Sequence, residues 1–280
     1  MIHEGIIAPI IIEPLKHIYR MLFEPEYRYY SWLVTRYGRT KRFSLRKIIV
    51  HGWDIIVPDM ASFLSAYKEI FVEQIYAFRS DVRDPVILDC GANIGLSILY
   101  FKTLYPHSKI TAFEADPQIF AILQRNITAH KICDVELVNK AIWSSETTVA
   151  FSVEGADGGR INAGNDKNLI NVPTVSLSSL LQGTKYDFVK IDIEGAETEA
   201  LRNCDEYLAN LKYVFIEYHS IASTPQSLGM LINSFEKKGF RIHMHPQLIS
   251  KRPFIRFSCP ENGMDLQLNL FFTRDDSKAI

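Results

Sequence analysis

The chain has 280 residues, 47% of them apolar, and a formal net charge of −1. That apolar content excludes a disordered chain, and the length suits one large domain or one domain with an extension. Near-neutral charge without a long basic run argues against a nucleic-acid partner.

Residues 1–84 read as an N-terminal extension of helices and a β-hairpin. Its first stretch, Gly5-Ile-Ile-Ala-Pro-Ile-Ile-Ile12, is apolar but short, broken by Pro9 and closed by Glu13-Pro14. No basic segment precedes it, so neither a signal peptide nor a membrane span is expected. Burial against its own domain is expected over rest on a membrane surface or a partner subunit. Aromatic residues are dense from Tyr19 to Tyr37, interleaved with basic ones. Their helical spacing favours a packed cap or a homo-oligomer contact. Lys47–His51 and Asp54–Val57 read as two strands around Gly52-Trp53. Pro58-Asp59 then opens a helix whose face carries Phe63, Tyr67, Ile70, Phe71 and Phe78.

From residue 85 to 280 strands and helices alternate, as a parallel sheet requires. Strands are expected near 86–90, 109–114, 135–139, 186–192, 212–218, 240–244 and 266–273. In the first, Val86-Ile-Leu-Asp89-Cys-Gly91-Ala-Asn93-Ile-Gly95-Leu-Ser97, an apolar strand runs into Asp-x-Gly-x-x-x-Gly and then a helix. Gly91 permits a sharp turn, and Gly95 lets the first helical turn approach a ligand. Asp89 at the strand end can accept hydrogen bonds from an ammonium group, which S-adenosylmethionine carries and NAD lacks. Dinucleotide binders use G-x-G-x-x-G, and that spacing is absent. The second strand ends on Glu114, nineteen residues beyond Gly95. A carboxylate there can accept one hydrogen bond from each ribose hydroxyl. Asp116-Pro117 starts a helix with the apolar face Ile119, Phe120, Leu123 and Ile127.

Between Trp143 and Val175 the alternation lapses. Residues 149–153 look like an extra strand. The glycine-rich loop 155–168 fits a lid near a site or a plain surface insertion. Further on, Asp192 and Glu194 end the fourth strand on one face, and Glu197 falls where it complements a helix dipole. Glu217 and His219 end the fifth strand and share a face. His243 and His245 alternate along the sixth and read as structural. The helix after Pro225 shows Leu228, Leu231, Ile232 and Phe235 on one face and stops at Gly239. The last two strands leave little room for a helix between them, so they should pair antiparallel. Four cysteines, Cys90, Cys133, Cys204 and Cys259, lack Cys-x-x-Cys spacing and suggest free thiols in a reducing, cytoplasmic compartment.

Asp89-Cys-Gly-Ala-Asn-Ile-Gly95, Glu114-Ala-Asp-Pro117, Lys190-Ile-Asp-Ile-Glu-Gly-Ala-Glu197 and Phe215-Ile-Glu-Tyr-His219 occur in that order. Together they resemble the FkbM-type class I methyltransferases, over roughly residues 54–273. Cys90 departs from the small or apolar residue more usual there. The resemblance implies a Rossmann-like α/β sheet of seven strands with the last antiparallel and helices on both faces. It also implies S-adenosylmethionine as cofactor and O-methylation of a sugar, glycan or small molecule, commonly in polyketide or surface-glycan biosynthesis. Cofactor contacts are then expected from Asp89, Gly91, Asn93, Gly95 and Glu114, with Ala141 and Ile142 flanking the adenine. Asp192, Glu217 and His219 are the expected catalytic groups. His219 would act as base, or Asp192 and Glu217 would hold Mg²⁺ to acidify the hydroxyl. The base route is favoured. Two other readings remain: an NAD-dependent sugar-nucleotide oxidoreductase, and a non-catalytic binding protein that keeps the fold.

Overall fold

The computed structural model describes residues 4–155, 158–161, 169–255 and 263–274, without the side chains of residues 4–13. The chain opens with two helices, α1 (Glu4–Phe23) and α2 (Pro25–Tyr37). Pro9 and Pro14 each remove one N–H donor without ending α1, so the stretch read as broken at Pro9 is helical. Next come β1 (Arg46–Val50) and β2 (Trp53–Val57), antiparallel across a His51-Gly52 turn in which both residues have positive φ. Helix α3 (Met60–Tyr67) follows, with the Asp59 carboxylate accepting from the Ser62 backbone N–H at 3.0 Å. Its last turn widens into a π-helical turn, Lys68–Val72. Phe63, Tyr67, Ile70 and Phe71 are buried as their spacing requires. The run ends there, however, and Phe78 belongs to the loop beyond, packed on Phe101 and Phe188.

The sheet domain follows in regular alternation: β3 (Val86–Cys90), α4 (Leu96–Leu104), β4 (Lys109–Phe113), α5 (Pro117–Thr128) and β5 (Val135–Val138). A smaller group comes next, with β6 (Ala141–Trp143), β7 (Thr148–Ser152), β8 (Arg160–Ile161) and β9 (Leu169–Ser176). The main sheet resumes with α6 (Leu177–Gly183), β10 (Phe188–Ile191), α7 (Glu197–Ala200), α8 (Asp205–Leu208), β11 (Tyr213–Ile221) and α9 (Leu228–Glu236). It closes with β12 (Arg241–Ile249) and β13 (Met264–Thr273).

Seven strands form the main sheet in the order β12-β13-β11-β10-β3-β4-β5. The central pairings are parallel, and β13 runs antiparallel to both β11 and β12. Each of the seven falls where hydrophobic patterning placed it. The small sheet, ordered β6-β9-β7-β8, was legible only as β7. Most of the 155–168 loop lies outside the described residues. Its described part supplies β8.

Register sets the functional edge. Cys90 pairs with Phe113 and with Ile191, and Ile191 pairs with Ile216. The next residues of these four strands are Gly91, Glu114, Asp192 and Glu217, so they lie side by side, the first three just past their strands and Glu217 within β11 where its parallel neighbour ends.

One hydrophobic core joins the extension to the sheet. Leu33, Ile55, Met60 and Tyr67 belong to the same buried cluster as Ile98, Leu123 and Phe215. Asn126 on α5 fastens the join, because its Oδ1 accepts from the Ile56 N–H at 2.8 Å. Its amide donates to the carbonyls of Ile56 at 3.1 Å and Ile94 at 3.0 Å. Asn126→Ala leaves three buried backbone groups unpartnered at about 1–3 kcal/mol each. Urea unfolding is expected to show a loss of at least about 3 kcal/mol; a loss under about 1 kcal/mol would mean the extension is held by its apolar contacts alone.

Candidate functional site

The glycine turn shapes the edge. The backbone N–H groups of Gly91 and Ala92 both donate to the Phe113 carbonyl, at 3.0 and 2.9 Å. At Gly91 φ is +90°, and a Cβ would stand 1.8 Å from the Asp192 carbonyl oxygen. The position demands glycine because two strand ends meet there, and the same absence of a side chain leaves an open cradle. Gly95 differs from expectation. A Cβ on it would meet Leu123 Cδ1 at 2.9 Å, so this glycine lets α4 press on α5, not on a ligand.

Asp89 also departs from its expected place. It is fully buried and accepts from Ser97 Oγ at 2.5 Å, while Lys190 Nζ stands 3.4 Å from its other oxygen. The ammonium that meets Asp89 is the protein's own. Lys190 also donates to the Gly91 carbonyl at 2.6 Å and pairs with Asp192 at 3.2 Å. Burial would lower its pKa, but Asp192, Tyr76 and Asp89 together raise it well above the ordinary lysine value. Lys190 has no role among the sequence expectations. A lysine inside a strand buried on both faces was the available signal.

Two cavities meet at the strand ends. The first is lined by Gly91, Asn93, Glu114, Ala141, Ile142 and Phe151, with Gly159 and Ile161 from the described part of the glycine-rich loop. Glu114 accepts from the Asn93 N–H at 2.9 Å and the Asp116 N–H at 2.8 Å, one on each oxygen. Burial raises its pKa to about 7 against those two donors. Each oxygen keeps a lone pair for a ligand. Asn139 fixes the same loop by donating to the carbonyls of Glu114 and Ala115. Asp116, Lys140, Asp192 and Glu194 complete the polar part of this lining, and Phe113, Ala141, Ile142 and Phe151 its apolar part.

The second cavity adjoins the first across Gly91, Asn93, Asp192 and Glu194, which line both. Its other walls include Ser62, Phe63, Glu69, Tyr76, Lys190, Glu217 and Gln267. Glu69 comes from the π-helical turn, so the extension closes this cleft; nothing in the helical pattern of the sequence marked it. Burial and the nearby Asp192 raise the Glu69 pKa to about 7. Burial, with Asp192 again adding, raises Glu217 well above the usual carboxylate range. Gln267 donates to the Glu217 carboxylate.

His219 shares a strand with Glu217 but is carried out of the cleft wall. Its side chain is almost fully buried, with Nδ1 3.0 Å from Glu197 and Nε2 3.6 Å from Glu194. Burial lowers its pKa, but Glu194, Glu197 and Glu217 outweigh this and hold it well above 6.5. Glu197 is a brace more than a dipole complement: it accepts from the Gly195 N–H at 2.9 Å as well as facing His219. Between them, Glu194 and Gly195 adopt positive φ. As for a metal, one grouping among the described residues brings ligand atoms within 4.8 Å: Asp192, Glu194 and His219, without Glu217. The expected Asp192–Glu217 pair is not that grouping. His243 and His245 are exposed, away from both cavities.

The parallel sheet with its antiparallel β13 and the glycine turn after β3 form the class I methyltransferase architecture, whose family uses S-adenosylmethionine as methyl donor. The family model described as Methyltransferase FkbM domain matches residues 89–242, more than half of the chain, and the protein belongs to that family. It is similar to Methyltransferase sdnD of Sordaria araneosa, 29% identical over 214 residues, 63% of this chain and 81% of that one. It is also similar to Hexuronic acid methyltransferase AglP of Haloferax volcanii, 25% identical over 59% of this chain and 74% of that protein. Among solved structures, Methyltransferase FkbM from Methylobacillus flagellatus KT aligns at a TM-score of 0.45 and 14% identity. That alignment covers 75% of this chain and 53% of that one. Among the described residues, no helix is long and apolar enough to cross a membrane.

Lys190→Met leaves Asp89 and Asp192 without their shared cation, a change that costs about 3–5 kcal/mol for a buried pair. Chemical denaturation should show that loss, and adding Asp89→Asn should recover part of it. Wild-type stability in the single variant would mean that Lys190 is not what neutralises this edge.

Proposed function

We propose that the protein transfers a methyl group from S-adenosylmethionine to a hydroxyl of a sugar, glycan or other small molecule, with Glu217 as the proton acceptor. The observation that carries this reading is the meeting of the two cavities at Asp192 and Glu194. One suits an adenosine, and the other is a polar cleft with carboxylates in its wall. Bound in the first, the cofactor supplies an electrophilic methyl on a sulfonium.

Glu114 would hold the ribose hydroxyls and Ala141 with Ile142 the adenine, while Gly91 and Asn93 let the methionine arm run toward Asp192. Asp192, kept beside the Lys190 ammonium, would orient the acceptor at the junction. A hydroxyl is a poor nucleophile, so its proton must leave as the new carbon–oxygen bond forms. Glu217 faces the cleft, and its raised pKa makes it a stronger base than an ordinary carboxylate. His219 was the expected base; set behind Glu194 and kept protonated by three carboxylates, it would instead hold that loop in place. Mg²⁺ has no support as a requirement. The name of the Haloferax relative supports a sugar acceptor. The free thiols of the described cysteines Cys90, Cys133 and Cys204 agree with a cytoplasmic setting.

For the cofactor pocket, Glu114 accepts ribose hydroxyls best when ionised, and its pKa is raised to about 7. Below that pH it is protonated, so affinity for S-adenosylhomocysteine should fall up to about tenfold per pH unit as pH drops from 7. Calorimetry across pH 6–8.5 checks this. Glu114→Gln should flatten the profile and weaken binding by about 2–3 kcal/mol at pH 8. A flat wild-type profile would remove Glu114 from the ribose.

For the acceptor cleft, Glu217→Gln should lower kcat by about 10²–10⁴ with cofactor affinity unchanged. Because Glu217 must be ionised to accept a proton, the acid limb of the wild-type profile should lie well above pH 4.5. EDTA should leave the rate intact. Full activity of Glu217→Gln, or silencing of the wild type by EDTA, would transfer the role to another base or to a metal.

A further inference from the structure

We propose that the N-terminal helix pair docks on an anionic lipid surface, laying the apolar face of α1 into the headgroup boundary. Leu15, Ile18, Tyr19, Leu22 and Phe23 recur at i, i+3, i+4, i+7 and i+8, and each is more than half exposed. They form one stripe on the helix. The opposite side holds α1 to α2: His17 Nδ1 meets the Tyr27 hydroxyl at 2.8 Å, and the Arg20 guanidinium sits 4.1 Å from the Tyr27 ring centroid. A surface helix ordinarily turns its apolar side inward. Here the polar side faces the protein and the apolar side faces out, which calls for an apolar medium beyond the chain.

Charge selects the medium. The first fifty residues hold nine Lys and Arg against four Glu, five positive charges in excess. The whole chain carries −1, so residues 51–280 hold six negative charges in excess. Arg28, Arg36, Arg39, Lys41 and Arg46 are exposed around the helix pair. An apolar stripe within a basic segment matches the acyl boundary and headgroups of an anionic bilayer, where each basic residue near the surface adds attraction. Two copies joined face to face through this stripe would bring like charges together. A nucleic acid would leave the leucines and isoleucine without a partner.

Cosedimentation of the full chain tests this with two vesicle types, phosphatidylcholine alone and phosphatidylcholine with an equal share of phosphatidylglycerol, at low and high salt. The wild type should pellet with the anionic vesicles, much less with the neutral ones, and less at high salt. The double variant Leu15→Glu/Leu22→Glu should lose at least about tenfold in partitioning while keeping its affinity for S-adenosylhomocysteine. Arg36→Glu/Arg39→Glu should remove the preference for anionic lipid. Failure to pellet, equal binding to both vesicles, or binding that the leucine variant leaves intact each overturns the proposal. So does a dimer by light scattering, or RNA retention, without vesicle binding. Cofactor binding is read separately, so neither reading depends on the other.

Discussion

A single buried ammonium organises the functional edge. Lys190 ends its side chain among Asp89, Asp192 and the Gly91 carbonyl, at 3.4, 3.2 and 2.6 Å. Burying the Asp89 carboxylate in the centre of a parallel sheet, with partly buried Asp192 close by, would be prohibitive without a cation between them. With it, the glycine turn after β3 and the acidic end of β10 can sit one against the other, so close that no Cβ fits at Gly91. That contact is what makes the two cavities neighbours.

A second layer of charge repeats the principle with histidine. His219 lies between Glu197 and Glu194, both on the segment that follows β10. The segment includes left-handed Glu194 and Gly195, a conformation that a non-glycine residue holds only when its surroundings fix it. The brace supplies that fixing, and the charged groups lining the cleft are Asp59, Glu69, Lys190, Asp192, Glu194 and Glu217. His219 stays behind the wall, whereas Lys190 lines the cleft together with carboxylates of raised pKa, Glu69 and Glu217. Glu69, raised to about 7, takes up a proton near neutral pH in a way that solvent-exposed acids do not, and Glu217 is shifted in the same direction.

Much of this was legible in the sequence, for specific reasons. Buried parallel strands read as apolar runs, and the residue after each run marks the ligand edge. Gly91, Glu114, Asp192 and Glu217 are therefore candidates drawn from one strand pattern, and the structure sets them side by side. What failed depended on contacts between elements distant in sequence. Gly95 looked like a ligand glycine, yet its neighbours are Leu123 and Ile127 on another helix. Asp89 looked like a ligand carboxylate, yet Lys190, a hundred residues on, reaches it first. His219 shared a face with Glu217 by alternation, but alternation does not say how deep the cavity reaches. Glu69 was hidden by the π-helical turn, which departs from the 3.6-residue period that sequence patterns assume. The extension likewise read as a cap; its core is continuous with that of the sheet, and it walls the cleft.

The central claim is that the slot between Gly91 and Ala141 takes the cofactor and hands its reactive end to the cleft beside it. A crystal structure with S-adenosylhomocysteine tests it most directly. The account predicts both ribose hydroxyls within hydrogen-bonding distance of the Glu114 oxygens, about 2.5–3.0 Å. It also predicts the adenine against Ala141 and Ile142, and the sulfur at the Asp192 junction facing Glu217. A ribose held elsewhere, or a sulfur directed away from the cleft that Glu69 and Glu217 line, would contradict it.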